Sequence, residues 1–242
     1  MSVYNALVYC VGCHFANSSS VIGGAMLLFS SNVTLSSSAA SSTSASVLGG
    51  FASLFLSQLT ISNESLIENS TAGSLGGSFS VESLSALQLS DSRVELSSAI
   101  DGGGAVFVTS QSSFIAERSQ ISYSSAKEGG AILSNIESSV TIDSCIFEFN
   151  EAANGDGGAI FMQTNDLLIV NTTFLGHSST GAGGVMKLVG LNSIAVDLSI
   201  FFDNSAAGYG GVMNVENSAP IVSNSTFSLN DAGEDGGVIH LS

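Results

Sequence analysis

The stretch GGAILSNIESSVTIDSCIFEFNEAANGDGGAI, residues 129–160, ends on the tetrapeptide with which it begins, and that repetition decides the fold. The glycine pair recurs along the whole chain, its second member falling at Gly24, Gly50, Gly77, Gly104, Gly130, Gly158, Gly184, Gly211 and Gly237. Successive marks are 26 to 28 residues apart. After most pairs the second and fourth residues are apolar: Val106 and Val108, Ile160 and Met162, Met186 and Leu188, Met213 and Val215. Alternation with period two is the signature of a strand. A second alternating pair follows further on, as in Val33/Leu35, Val140/Ile142, Leu168/Val170 and Ile194/Val196. A third burst, at Phe147, Phe174, Phe201 and Phe227, precedes the next glycines.

Three short strands per repeat, with no helical period and no room for a crossover helix, describe one coil of a three-faced solenoid. The fold class is therefore all-β, a right-handed single-stranded parallel β-helix of about nine coils. Stacked at the inter-strand spacing, the coils make a rod about 40 Å long. A β-sandwich would not hold so regular a pitch over nine marks. Residues 1–242 read as a single domain, with degenerate repeats over 1–102 and well-matched repeats over 103–242. Both ends fall within a coil, so the chain is expected to be a segment of a longer protein.

The glycine pairs are expected at a corner where φ is positive or where packing excludes a Cβ. Asn17, Asn204 and Asn230 each lie seven residues before the second glycine, with Asn150 one residue earlier, and are expected to form a ladder at another corner. If even positions after the glycines face the core, odd ones face out. Phe107, Leu133 and Phe161 would then stack into an exposed apolar strip, the candidate binding surface.

Two tetrapeptides alternate: GGAI at Gly129–Ile132 and Gly157–Ile160, and F-x-x-N at Phe147–Asn150, Phe201–Asn204 and Phe227–Asn230. Their order and spacing resemble the repeats of the chlamydial polymorphic outer-membrane proteins and of similar large protist surface proteins. The resemblance covers the chain from about Gly103 onward. It implies a β-helical passenger displayed outside the cell and linked to adhesion. The chain departs from the pattern at Phe174-x-x-His177, and at His14-x-x-Asn17, where His14 takes the Phe position.

Only 10% of the residues are charged, yet the net charge is −16, with 4 Lys and Arg against 20 Asp and Glu. Such a surface is a poor partner for nucleic acid, which needs clustered cations. Mean hydropathy is +0.43, but the apolar residues come in short bursts between Ser, Asn and Gly, and none approaches the ~20 residues of a membrane-spanning helix. Six Asn-x-Ser/Thr sequons begin at Asn17, Asn32, Asn63, Asn69, Asn171 and Asn224 and permit a secretory route.

Cys10-Val11-Gly12-Cys13-His14 matches the C-x-x-C-H pattern of covalent haem attachment. The same residues also fit the repeat and no distal ligand accompanies them, so no cofactor is expected; a disulfide or a zinc contact is the alternative use of the pair. The scattered histidines give no metal cluster. Acids recur before the glycines (Asp101, Glu128, Asp156, Glu234, Asp235) and are expected to splay into water.

Many parallel β-helices cleave acidic polysaccharides with carboxylates and basic groups on one outer face. Here Arg93 and Arg118 could stack on neighbouring coils, but no Asp-Asp, Gly-His-Gly or Arg-x-Lys accompanies them, and the net charge would repel a polyanion. The expected function is thus non-catalytic: an extracellular or cell-surface adhesin or spacer stalk, with a protein or glycan on another surface as partner and contacts to flanking domains or end to end. A carbohydrate-active β-helix is the alternative.

Overall fold

Each coil of the rod turns four times, and each turn is made by a residue with φ near +50° to +70°. The computed structural model describes residues 1–242 and contains strands, turns and no helix. All strands pair in parallel, each with its counterpart one coil away, forming sheets of ten, nine, nine and nine strands. One coil serves as a template: Ile132–Ser134 lies in sheet A, Ser139–Asp143 in sheet B, Ile146–Glu148 in sheet C and Glu151–Ala152 in sheet D. The register is continuous, Val106 pairing with Ile132, Ile132 with Ile160 and Ile160 with Met186.

The three expected strands per coil are sheets A, B and C; sheet D is an addition. Its strands are mostly two residues long, too short to show alternation, and its inward column is mainly alanine: Ala72, Ala99, Ala126, Ala152, Ala206. In the 28-residue coil the inward pair of sheet B is Leu167 and Ile169, not Leu168 and Val170, because Val140 and Ile142 pair with the former.

Apolar side chains from sheets A, B and C converge on one continuous core along the rod axis. On sheet C the column Phe147, Phe174, Phe201 and Phe227 stacks ring on ring at centroid distances of 5.1, 5.1 and 4.9 Å. Offset stacking adds roughly 0.5–1.5 kcal/mol per pair to the burial of each ring.

The four corners solve the bend differently. At the D–A corner the first glycine of each pair has positive φ, and a Cβ there would meet a carbonyl oxygen three residues on, at 2.1 Å for Gly129. The second glycine has ordinary φ but no room: a Cβ on Gly158 would lie 2.1 Å from the carbonyl oxygen of Gly184 in the next coil. Both expected causes therefore operate, divided between the two glycines. At the other corners the Cβ points outward. One on Gly12 would meet nothing within 4 Å, and one on Gly190 only a methyl 4.0 Å away. Asn, Ser, Leu, Arg and Tyr occupy such bends, so only the D–A corner leaves a glycine mark in the sequence.

After most of these open bends the next residue points its N–H along the rod to a side chain of the next coil. At the B–C corner the N–H of Ser92 donates to Ser119 Oγ (3.2 Å), that of Ser119 to Cys145 Sγ (3.4 Å), and those of Cys145 and Thr172 to Thr172 Oγ1 and Ser199 Oγ. The hydroxyls turn their own hydrogens to the carbonyl two residues back, Ser119 to Glu117 and Thr172 to Val170, both at 2.8 Å. The A–B corner repeats the device through Ser31, Ser57 and Ser85. Serine is thus buried at corners, and the quarter of the chain that is Ser or Thr has a structural use.

At the C–D corner the column runs Ser18, Thr43, Ser70, Ser97 and Ser124, and in the later coils the same task falls to Asn. Asn150 Oδ1 accepts from the N–H of Ser124, Asn204 Oδ1 from His177, and Asn230 Oδ1 from Asn204. Their Nδ2 groups donate to Ile121, Phe174 and Phe201 carbonyls of the preceding coil. F-x-x-N therefore reads as core ring, outward residue, bend, ladder.

Asn17 is not on this ladder. It occupies the bend itself (φ 51°) and is exposed, and Ser18 stands in the ladder column. The path from there to the glycines is one residue shorter than in later coils, so counting back from Gly24 overshoots. For the same reason Phe15, not His14, faces the core.

His177 completes the ladder without being Asn. Its Nδ1 accepts from the Asn150 N–H at 3.0 Å, which leaves the hydrogen on Nε2, where it has no partner. Burial disfavours a charged ring and pushes its pKa down to about 4.

The expected outward strip needs correction. Phe107, Leu133 and Phe161 do turn away from the main core, but they are 6, 7 and 7% exposed and form a cluster of their own, with Leu75 packed against it. The segment between sheet D and the glycine pair folds back over the outer face of sheet A. Gly102 sits so close that a Cβ there would lie 2.3 Å from Leu133 Cδ2. The column continues as Lys187, Asn214 and His240, with Lys187 Nζ donating to Asn214 Oδ1 (2.6 Å) and paired with Glu216, and with Tyr209 tilted over His240. This strip is a second small core, not an open docking surface.

Two outcomes follow in thermal melts. Gly158→Ala should destabilise by roughly 2–4 kcal/mol and Gly190→Ala by only about 1 kcal/mol, since the second adds strain without a clash; equal losses would refute the division of the corners. Above pH 6.5 His177 is neutral folded and unfolded, whereas between 6.5 and about 4 only the unfolded chain takes up the proton. Stability should therefore fall with pH across that window relative to His177→Asn, and parallel curves for the two proteins would contradict the buried neutral ring.

Candidate binding face

Sheet C presents the outer surface on which unusual side chains gather. Its strands Arg93–Glu95, Ile146–Glu148, Thr173–Leu175 and Ile200–Phe202 bury only the middle residue, so the first and third point outward, whereas in Gln120–Ser122 the third, Ser122, is buried as well. In register, Arg93, Gln120, Ile146, Thr173 and Ile200 form one outer column. Successive coils hold such residues at the fixed inter-strand spacing of ~4.8 Å, on a backbone that cannot readily bend.

Along the C–D edge the bend residues Leu96, Tyr123 and Phe149 are 53, 52 and 44% exposed, all with φ between 50° and 54°. The Tyr123 and Phe149 rings stack at 5.3 Å and 19°. The Phe149 ring lies over Gly176, the next bend in the column, where a Cβ would come within 2.5 Å of Phe149 Cε1. A bulky side chain at positive φ costs about 1–2 kcal/mol, and its exposure returns little from burial. Exposed aliphatic residues also occur at other bends: Leu56, Leu84 and Ile136 at the A–B corner, Leu198 at the B–C corner and Leu229 further along the C–D edge. Three apolar bends on consecutive coils, two of them ring-stacked, occur on this edge.

Along the opposite edge both arginines of the chain meet. They stand in different columns: Arg93 opens a sheet C strand, and Arg118 is a B–C bend (φ 47°) stacked on Asp91. The side chains nonetheless line one shallow concavity of about 450 Å³, together with Glu64, Asp91, Gln120 and Ile146. Arg118 grips Asp91 with two hydrogen bonds, Nε to Oδ1 at 2.8 Å and Nη2 to Oδ2 at 3.0 Å. This grip holds the Asp91 carboxyl below its ordinary range and raises the guanidinium. Arg93 lies 3.4 Å from Glu95.

Chemically the face offers oriented donors, a hydrophobic ridge and a rigid frame. Aromatic rings and arginine are the residue types that anchor interfaces. Asp91 is committed as an anion to Arg118, so it is not poised to donate a proton.

The remaining sequence candidates lie elsewhere. Cys10 and Cys13 are joined in a disulfide, which commits both sulfurs to each other. Cys145, buried in the serine ladder, has its thiol pushed up to about 11 by burial. The acids of the D–A corner bond singly to adjacent coils: Asp101 Oδ2 accepts from Ser74 Oγ, and Asp156 Oδ1 from the Ala182 N–H. Reasoning from the glycines overlooked Leu96, Tyr123 and Phe149. Counting from the ladder residue would have found them, because each immediately precedes its ladder residue, Ser97, Ser124 or Asn150.

No curated protein and no solved structure matches the chain. A family model described as the right handed beta helix region matches residues 85–241, which include both arginines, the aromatic ridge and the Asn ladder. With well over half of its length matched and its strands wound as coils of four parallel sheets, the chain belongs to the right-handed β-helix family.

Proposed function

We propose that the chain is a non-catalytic, extracellular β-helical rod that adheres to a protein or glycan through the outer face of sheet C. The observation that carries this reading is the exposed ridge Leu96–Tyr123–Phe149, held at positive φ beside both arginines. Neither backbone preference nor core packing asks for those side chains there. Strain retained at exposed residues points to use. The GGAI and F-x-x-N repeats add the likeness to polymorphic outer-membrane proteins, whose β-helices are displayed on surfaces. On this reading the Asp91–Arg118 pair stiffens the edge of the face, and the acidic remainder of the rod resists self-association.

A carbohydrate-active reading rests on one observation: Glu64, Asp91, Arg93 and Arg118 meet in a hollow on the outside of a β-helix. It requires new reducing ends from a polysaccharide incubated with the protein, and their loss in Arg118→Ala.

The test of the adhesive reading compares wild type with Tyr123→Gly/Phe149→Gly, glycine being native to this column at Gly176. Relief of bend strain, about 1 kcal/mol each, offsets lost stacking and the entropy of glycine, so the melting temperature should move little. Adhesion of coated beads to cells should fall about tenfold or more. Equal adhesion of the two proteins, or native protein found only in the cytosol, would overturn the proposal.

A further inference from the structure

The six sequons and the aromatic ridge divide the rod between them. All six sequon asparagines are exposed, whereas the fully buried asparagines, Asn150, Asn165, Asn204 and Asn214, belong to none. Five of the six are bend residues with positive φ, and Asn is among the few non-glycine residues that favour that conformation. These five lie along the two edges of sheet C: Asn17 and Asn69 on the C–D edge, Asn63, Asn171 and Asn224 on the B–C edge. After four of these bends comes the Ser or Thr of the ladder and then an outward strand residue; after Asn63 a second bend residue, Glu64, intervenes and the ladder Ser65 itself completes the sequon. The corner thus builds Asn-x-Ser/Thr and leaves the amide in solvent.

In four of them the carboxamide is already oriented. Asn63 Nδ2 donates to Ser36 Oγ (2.8 Å), Asn69 to Ser42 Oγ (3.3 Å), Asn171 to Ser144 Oγ (3.2 Å) and Asn224 to Asp197 Oδ1 (2.9 Å). An amide nitrogen has two hydrogens, and one suffices for this bond. The other can be replaced by a sugar without breaking the ladder.

We propose that the chain is N-glycosylated at Asn63, Asn69, Asn171 and Asn224, and that these glycans bracket a bare window on sheet C containing Leu96, Tyr123 and Phe149. The donor is an oligosaccharide carried on a polyprenyl pyrophosphate. The Nδ2–C1 bond forms as the C1–oxygen bond to the pyrophosphate breaks, the pyrophosphate leaves with the electron pair, and the amide proton passes to a base. No sequon lies between Asn69 and Asn171. Within that window the edge columns hold Asp91, Arg118 and Ser144 on one side and Leu96, Tyr123 and Phe149 on the other. Leu96-Ser97-Ser98 and Tyr123-Ser124-Ser125 are each one substitution short of a sequon, so the bend residue alone keeps the window bare.

The inference rests on the extracellular reading, and one experiment separates the two. Protein from its native source is located by fractionation, then treated with peptide-N-glycosidase F in heavy-oxygen water and peptide-mapped. Extracellular protein with isotope-labelled Asp at the four positions supports the inference. Extracellular protein with unmodified Asn there overturns it and leaves the adhesive reading standing, whereas unmodified protein confined to the cytosol overturns both. The window has its own test in a glycosylating host. Leu96→Asn should gain one glycan and lose adhesion about tenfold, with recovery on deglycosylation. Adhesion unchanged by a verified glycan at that position would overturn the window.

Discussion

A backbone N–H just past a left-handed bend has no strand carbonyl beside it, and at most open corners of the rod a side chain of the next coil supplies the acceptor. A buried donor left unpaired costs roughly 1–3 kcal/mol, and the rod would otherwise accumulate several such losses in every coil. Serine hydroxyls serve most coils at two corners, and from Ser124 onward asparagine carboxamides and His177 serve the third, each reaching from the next coil. The fourth corner removes side chains altogether, because a Cβ on its first glycine would meet a carbonyl of the same coil and one on its second a carbonyl of the next. Composition, pitch and register all follow from this requirement. A chain rich in Ser and Asn can be water-excluding inside because those residues are spent on its own backbone.

Much of this was legible in the residues. The Gly pair marks the one corner where a Cβ is forbidden, so its pitch survives drift elsewhere and exposes the coil length. The Phe column survives because ring stacking rewards repetition of one residue type. What stayed hidden depended on contacts between coils rather than on patterns within one. The strip of Phe107, Leu133 and Phe161 was correctly faced and wrongly exposed, since nothing local shows that the segment before the glycines folds back over it. The two-residue strands of sheet D carry no period. Asn17 was misplaced by one residue because the first full excursion is shorter, and the ladder, not the glycine, is the frame for sheet C.

The aromatic ridge was missed for the same reason, and it matters most to function. On a rigid repeat scaffold, bends at open corners are free positions: any side chain that tolerates positive φ can be displayed there without disturbing the core. The chain uses that freedom unevenly. Asn, the residue the bend prefers, occurs as Asn17 and Asn69 on the C–D edge and as Asn63, Asn171 and Asn224 on the B–C edge. Between Asn69 and Asn171 the bends are Asp91, Arg118 and Ser144 on one edge and Leu96, Tyr123 and Phe149 on the other. The proposed adhesive face and the proposed glycan frame are two consequences of one geometry, the choice of side chain at an outward-pointing bend.

The most direct measurement of the central claim is amide hydrogen exchange at the residues just past the bends. If side chains of the next coil accept from them, the amides of Ser92, Ser119, Thr172 and Asn204 should be protected as strongly as those of the adjoining strands, near the limit set by global unfolding. Exchange there at the rate of open loop amides, with the strands still protected, would contradict the account and leave the corners without the bonds that hold the coils in register.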